Sequence, residues 1–168
     1  MSKTTKIIAR VAAVATTAAC ALALSTAAQA QAAAYKTLVN LNSGKCLAVP
    51  SANTANGIGL VQWECTRNGE QQWQLESVEG GNGDRYRVRN LTSNKCLAMP
   101  NASTANGTQA VQWTCGGGSE QIWIHDSIDR LRNLNSDRCL AIPNASTANG
   151  TEAIQWTCTT STDQGWLW

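Results

Sequence analysis

One segment occurs three times in this chain, and it limits the possible folds more than any other feature. Each copy starts with Cys-Leu-Ala, runs through a proline and an Asn-Gly pair to Gln-Trp-x-Cys, and ends in Gln-x-Trp. The copies span residues 46–73, 96–123 and 139–166, and eighteen residues separate the two cysteines in each. A period of about 40 to 50 residues indicates structural units that bury a core only by packing together.

The first thirty residues lie outside this repeat. Basic residues at positions 3, 6 and 10 precede a run of small apolar residues, and an Ala-Gln-Ala triplet ends at Ala30. These features are typical of a secretory signal peptide, which we predict for residues 1–30 with cleavage between residues 30 and 34. The alternative is a membrane anchor, but the apolar run is shorter than the roughly 20 residues that a spanning helix needs. We therefore expect a secreted, extracellular protein without membrane attachment.

Removal of the signal peptide changes both the charge and the cysteine count. The remaining chain has ten basic and eleven acidic side chains and no basic stripe, so nucleic acid is not an expected partner. Cys20 is lost, and six cysteines in an exported chain indicate disulfides. A metal site is the alternative, but His125 is the single histidine and no Cys-x-x-Cys pair occurs. We expect no metal and no cofactor.

Each repeat has the pattern of four short β-strands. Polarity alternates over residues 37–41, 87–91 and 130–134, which is typical of half-buried strands. A second strand at Cys-Leu-Ala ends at a proline, because proline cannot donate to a strand ladder; these prolines are Pro50, Pro100 and Pro143. The Asn-Gly pair predicts a tight turn before the third strand, and Gln-x-Trp lies on the fourth. The sequence thus predicts one closed all-β domain over 35–168, with repeats of about 35–84, 85–127 and 128–168.

Together these motifs resemble the ricin B-type lectins, the R-type or QxW-repeat family, over the whole of residues 35–168. The resemblance implies a β-trefoil of three homologous four-strand repeats with pseudo-threefold symmetry. We expect the Gln-x-Trp residues to be structural, with each tryptophan in a shared core and each glutamine binding buried backbone groups. They are Gln71, Trp73, Gln121, Trp123, Gln164 and Trp166.

Six cysteines allow fifteen pairings, and their equal spacing favours pairing within each repeat. The expected disulfides are Cys46–Cys65, Cys96–Cys115 and Cys139–Cys158. Each closes a loop of about twenty residues, which stabilises the fold by roughly 3 kcal/mol through the lower entropy of the unfolded chain.

The resemblance implies one sugar-binding pocket in each repeat. Its aromatic platform is the tryptophan two residues before the second cysteine, since an indole face packs on the apolar C–H face of a pyranose. The platform residues are Trp63, Trp113 and Trp156, and the alternative is that these rings pack against the disulfides. The family usually has aspartate two residues after the first cysteine, a position that alanine occupies in this chain, at Ala48, Ala98 and Ala141.

A second set of carboxylates offers a replacement for those aspartates. Glu70, Glu120 and Asp163 directly precede the Gln-x-Trp motifs, where the family often has an asparagine lining the same pocket. We interpret them as hydrogen-bond acceptors that have moved across the pocket. The alternative, that they are solvated acids where a strand begins, fits the sequence equally well.

The sequence therefore favours a secreted, monomeric protein that binds a glycan or polysaccharide through up to three shallow pockets. An enzyme is not expected, because no nucleophile or zinc-protease motif accompanies His125 and the three carboxylates belong to different repeats. The alternative function is a protein-interaction or inhibitor-type trefoil with vestigial sugar sites, which the three alanines favour.

Overall fold

The computed structural model describes residues 34–80 and 82–168. The predicted signal peptide, with Cys20, lies outside the described residues. The first repeat contains β1 Lys36–Thr37, β2 Val39–Asn40, β3 Cys46–Ala48, β4 Ile58–Gly59, β5 Val61–Trp63 and β6 Gln72–Ser77. The second contains β7 Arg85–Asn90, β8 Cys96–Ala98, β9 Val111–Trp113 and β10 Trp123–His125. The third contains β11 Leu131–Asn133, β12 Arg138–Ala141, β13 Ile154–Thr157 and β14 Trp166–Leu167.

Short 3-10 helices connect some of these strands. They span Pro50–Ala52, Gly69–Gln71, Pro100–Ala102, Ser119–Gln121, Pro143–Ala145 and Thr162–Gln164. The three prolines thus end a strand, as predicted, and also start a helical turn, because the fixed φ of proline suits a first helical position. No helix in the described part of the chain is long and apolar enough to cross a membrane.

The first and last strands of the repeats form a closed barrel. Antiparallel pairing runs from β1 to β6, β7, β10 and β11, and β14 pairs with β2. A bridge between Arg130 and Gly165 closes the ring, and the backbone N–H of Trp166 donates to the carbonyl of Asp129 at 2.7 Å. The first repeat has six strands instead of the predicted four, because Leu38 and Leu60 interrupt the pairing.

The middle strands of each repeat form a hairpin: β3 with β5, β8 with β9, and β12 with β13. The hairpin segments meet at one point through a closed triangle of backbone hydrogen bonds. Leu60 donates to Ala110 at 2.8 Å, Ala110 to Ala153 at 2.9 Å, and Ala153 to Leu60 at 2.9 Å. This triangle marks a pseudo-threefold axis. A six-stranded barrel with three hairpins around such an axis is a β-trefoil, the fold that the family resemblance implies.

The core is built from sets of equivalent residues. Fully buried side chains come from the barrel strands and hairpins of all three repeats, and the largest are Trp73, Trp123, Trp166, Leu38, Leu47, Leu60, Leu97, Met99, Leu131, Leu140 and Ile142. In the alternating strands the inward positions are occupied by one apolar residue and one asparagine, for example Val88 and Asn90. These buried asparagines reach the candidate sites described next.

Candidate functional site

A half-exposed tryptophan lies at the end of β5 and of β9, and one residue before the end of β13. Side chains alternate across a strand, so the preceding glutamine points inward and the indole points to solvent. Gln62 is fully buried and Trp63 is 46% exposed, and Trp113 and Trp156 are 46% and 45% exposed. Each of these tryptophans lies opposite the first cysteine of its repeat in the strand register. The three positions therefore present indole surface to solvent beside a disulfide whose first cysteine is buried.

Each of these tryptophans lines a surface pocket together with the alanine and the carboxylate of its own repeat. The pocket of the first repeat has a volume of about 520 Å³ and contains Ala48, Trp63 and Glu70. That of the second has about 590 Å³ and contains Ala98, Trp113 and Glu120. That of the third has about 410 Å³ and contains Ala141, Trp156 and Asp163. The structure thus brings the tryptophan and the carboxylate, about fifteen and twenty-two positions after the alanine in the sequence, into one pocket with it.

Backbone hydrogen bonds hold each acidic residue against the strand that carries the pocket alanine. Each carboxylate lies in a 3-10 helix, and its own carbonyl accepts from the backbone N–H of the residue after Cys-Leu-Ala. The distance is 3.1 Å for Val49 to Glu70, for Met99 to Glu120 and for Ile142 to Asp163. The alanines are only 2–3% exposed, so each pocket floor is apolar and tightly packed.

The three carboxylates differ in their surroundings. Ser161 Oγ donates to a carboxylate oxygen of Asp163, so this group has a hydrogen-bond partner within the protein. The Glu120 carboxylate folds back over Gly118, where an added Cβ would collide with it. In the first pocket the equivalent position is Asn68, which lines the cavity beside Glu70. The pockets are therefore related by symmetry in their backbone but not in their polar chemistry.

The Gln-x-Trp residues lie beneath the pockets and bind backbone groups. Gln71 is 1% exposed, its Oε1 accepts from the N–H of Thr66 at 2.7 Å, and its Nε2 donates to the carbonyl of Glu64 at 2.9 Å. Gln121 and Gln164 make the same pair of bonds in their repeats. These contacts fix the loop after the second cysteine. The disulfides Cys46–Cys65, Cys96–Cys115 and Cys139–Cys158 close that same loop onto the hairpin.

The sequence motifs do not predict a role for two sets of buried polar residues that form hydrogen bonds near the pockets. One is the buried glutamine before each pocket tryptophan, at Gln62, Gln112 and Gln155. The other is the buried asparagine of each alternating strand, at Asn40, Asn90 and Asn133. A polar residue on the inward face of an alternating strand is the signal that identifies them, because such a group must find hydrogen-bond partners inside the fold.

His125 lines none of these pockets, and its Nε2 lies 3.7 Å from a carboxylate oxygen of Asp129. Among residues 34–80 and 82–168, no group of three or more His, Cys, Asp or Glu side chains is placed to hold a metal ion.

Comparison with known families identifies the fold. The model of the ricin-type beta-trefoil lectin domain matches residues 34–166. The chain belongs to this family. As a ricin-type trefoil it superposes on the designed threefold-symmetric protein ThreeFoil with a TM-score of 0.73 and 34% identity, covering 79% of this chain and 95% of that one.

Two natural proteins contain a region of similar fold. The exo-beta-1,3-galactanase 1,3Gal43A from Clostridium thermocellum has 30% identity and a TM-score of 0.73, covering 80% of this chain but 29% of the galactanase. The C-half of an earthworm R-type lectin, crystallised with GalNAc, has a TM-score of 0.64 at 15% identity, covering 79% of this chain and 95% of the lectin. Among curated protein sequences no match is found.

Proposed function

We propose that this chain is a secreted, non-catalytic protein that binds a polysaccharide through three shallow pockets. The observation that carries the proposal is the position of the half-exposed tryptophans, each of which shares a pocket with one carboxylate. An aromatic face and a polar acceptor that line the same cavity suit a sugar ring, which has an apolar C–H face and a rim of hydroxyls. The family membership of the chain supports the same function.

The carboxylates supply the polar half of this arrangement. With alanine on the pocket floor, Glu70, Glu120 and Asp163 are the acidic groups that line the three described pockets. A carboxylate accepts hydrogen bonds from hydroxyls more strongly than a neutral group does. We therefore assign them as sugar-hydroxyl acceptors that replace the aspartate usual in this family.

The distribution of the carboxylates also supports a non-catalytic role. Glycoside hydrolysis uses two carboxyl groups that flank one scissile bond. Each of the three described pockets is lined by one carboxylate, and the three belong to different repeats. The galactanase is consistent with a separate binding unit, because the part of the enzyme that this chain matches is 29% of its length.

A repetitive polymer is the ligand class that best suits three weak sites on one body. Each pocket opens to solvent beside a half-exposed tryptophan, so a bound sugar unit keeps part of its surface in water. Three sites that engage one polymer can raise the overall affinity by roughly 10²–10⁴ over a single site when their spacing fits. We therefore expect a polysaccharide to bind much more tightly than its monosaccharide.

Calorimetric titration with soluble β-1,3-galactan, xylan, β-glucan and their monosaccharides tests the proposal. The key variant replaces Trp63, Trp113 and Trp156 with alanine together. A matched control is Leu91→Ala, which removes an equally exposed apolar side chain, 47% accessible, that lines none of the three pockets. We expect the triple variant to lose binding and Leu91→Ala to retain it. Equal binding by the triple variant and the control would overturn the assignment of the pockets.

The apolar pocket floors favour one other function, a protein-interaction trefoil with vestigial sugar sites. Ala48, Ala98 and Ala141 remove the acceptor that the family usually has, and a half-exposed tryptophan is also a common anchor in protein interfaces. This alternative predicts that none of the polysaccharides binds. Retention of a specific protein that depends on the same three tryptophans would then support it.

A further inference from the structure

The Asn-Gly turn of each repeat packs on the pocket tryptophan of a different repeat. A Cβ added to Gly57 would lie 3.4 Å from Cζ3 of Trp113, in the second repeat. Gly107 has the same relation to Trp156, at 3.7 Å, and Gly150 to Trp63, at 3.5 Å. The contacts form a closed cycle. The turn of the first repeat contacts the tryptophan of the second, the turn of the second contacts that of the third, and the turn of the third contacts that of the first.

Backbone hydrogen bonds fix each turn against the neighbouring strand. The N–H of Gly57 donates to the carbonyl of Gln112, the residue before Trp113, at 2.9 Å. In the opposite direction, the side chain of Gln112 donates from Nε2 to the carbonyls of Asn53 and Ala55, at 2.7 and 2.8 Å. The other two interfaces repeat both kinds of contact.

The asparagine of each turn binds the residue that follows the neighbouring tryptophan. Asn56 Oδ1 accepts from the backbone N–H of Thr114 at 2.9 Å and from its hydroxyl at 3.1 Å. Asn149 Oδ1 accepts from the N–H of Glu64 at 3.0 Å. Asn106 Nδ2 donates to the hydroxyl of Thr157 at 3.0 Å. The tryptophan strand is therefore held just before and just after the indole by another repeat.

The carboxylate side of each pocket is braced by the remaining repeat. The buried side chain of Asn90 donates from Nδ2 to the carbonyl of Glu70 at 3.1 Å, across the boundary between the first and second repeats. Asn133 donates to the carbonyl of Glu120 at 2.9 Å, and Asn40 to that of Asp163 at 2.9 Å. Every pocket therefore depends on contacts from both of the other repeats.

We infer that each sugar pocket is a composite of three repeats and that Asn56, Asn106 and Asn149 are positioning residues for the tryptophan of a neighbouring repeat. This inference rests on the proposed function of the pockets. A half-exposed indole that is fixed before binding loses less conformational freedom when the sugar arrives. Loss of one turn contact weakens the neighbouring pocket by about 3- to 10-fold and leaves the pocket of its own repeat unchanged.

The second pocket allows a direct test of which repeat controls it. In a background that carries Trp63→Ala and Trp156→Ala, Trp113 is the remaining platform, and β-1,3-galactan or xylan titrates that pocket alone. We expect Asn56→Ala, in the first repeat, to weaken binding. We expect Asn56→Asp, which keeps an oxygen that accepts from Thr114, to restore binding. Asn106→Ala is the matched control, because it lies in the same repeat as Trp113 but contacts the third repeat. Weaker binding in Asn106→Ala and unchanged binding in Asn56→Ala would overturn the inference.

A readout without ligand separates this inference from the proposed function. The indole N–H resonance of Trp113 is assigned by its loss in Trp113→Ala. In the free protein we expect Asn56→Ala to shift and broaden this resonance, with recovery in Asn56→Asp and no change in Asn106→Ala. This pattern without polysaccharide binding would reject the proposed function but support the cross-repeat positioning. An unperturbed Trp113 resonance in Asn56→Ala would reject the positioning role whether or not a polysaccharide binds.

Discussion

The indole Nε1 of Trp73 donates a hydrogen bond of 2.9 Å to the carbonyl oxygen of Leu47, and both residues are fully buried. The bond joins β6 of the first repeat to β3. The other repeats contain the same bond at 3.0 Å, from Trp123 to Leu97 and from Trp166 to Leu140. The core tryptophans thus bind the backbone as well as filling the barrel.

Trp73→Phe should destabilise the protein by about 2 kcal/mol or more. It leaves the Leu47 carbonyl without a partner, which costs about 1–3 kcal/mol, and it leaves part of the core unfilled. Urea unfolding measures the change in the free energy of unfolding. Trp63→Phe is the control, because its ring is 46% exposed and its replacement should cost little. Equal losses in the two variants would contradict the assignment of Trp73 to the core.

Leu60→Ala should destabilise the protein by about 2–5 kcal/mol, as expected for a buried leucine that leaves a cavity. Leu60 is one corner of the hydrogen-bonded triangle around the pseudo-threefold axis, where the other two repeats have Ala110 and Ala153, so it is the largest buried side chain of this set. Thermal and urea unfolding provide the measurement. Leu91→Ala, at an exposed site, should stay within about 0.5 kcal/mol of the parent. A mild effect at position 60 would mean that the neighbours collapse into the space.

Asp126→Asn should reduce stability near neutral pH and have a smaller effect in acid. Burial acts to raise the pKa of Asp126, but hydrogen bonds from the Arg130 side chain and from the backbone N–H groups of Arg130 and Ile128 outweigh it and lower the pKa. A lowered folded-state pKa gives stability that is present above the unfolded value of about 3.9 and is lost as the pH falls through the folded value.

Urea unfolding at pH 6 and below pH 3 tests this linkage. The difference in stability between the parent and Asp126→Asn should shrink on acidification. Glu152→Gln is a control at an exposed site, and its difference from the parent should not follow that pattern. A pH-independent difference for Asp126→Asn would exclude a contribution from ionisation of Asp126.

Glu120→Gln should weaken polysaccharide binding at the second pocket by roughly tenfold, since hydrogen bonds to a charged acceptor are about twice as strong as neutral ones. The measurement is calorimetric titration in the Trp63→Ala, Trp156→Ala background. Glu152→Gln, which lines none of the three pockets, changes the net charge equally and controls for long-range electrostatics. Unchanged affinity in Glu120→Gln would show that this carboxylate is only a solvated acid.

Much of the fold is predictable because each sequence pattern that indicates a strand or a turn occurs three times in the chain. The strand positions follow from alternation around buried residues such as Val88 and Leu131. The turns after proline are harder to predict, because Asn101 and Ala102 adopt positive φ values of 52° and 50° without a glycine to indicate them. There the surrounding packing determines the backbone conformation, since alanine has no intrinsic preference for that region.

The sequence by itself determined the number of structural units and their all-β nature, and the family resemblance indicated which tryptophan of each repeat fits a core. Strand alternation and fixed spacing are local properties, so they can be read along the chain. Only the tertiary structure decided which repeat completes each pocket. The sequence around Trp113, which Gly57 contacts, is nearly the same as that around Trp63, which it does not contact. The sequence therefore cannot show which of the two tryptophans the turn reaches. The closure of the barrel and the reach of the hairpin loops around the threefold axis select the neighbouring repeat.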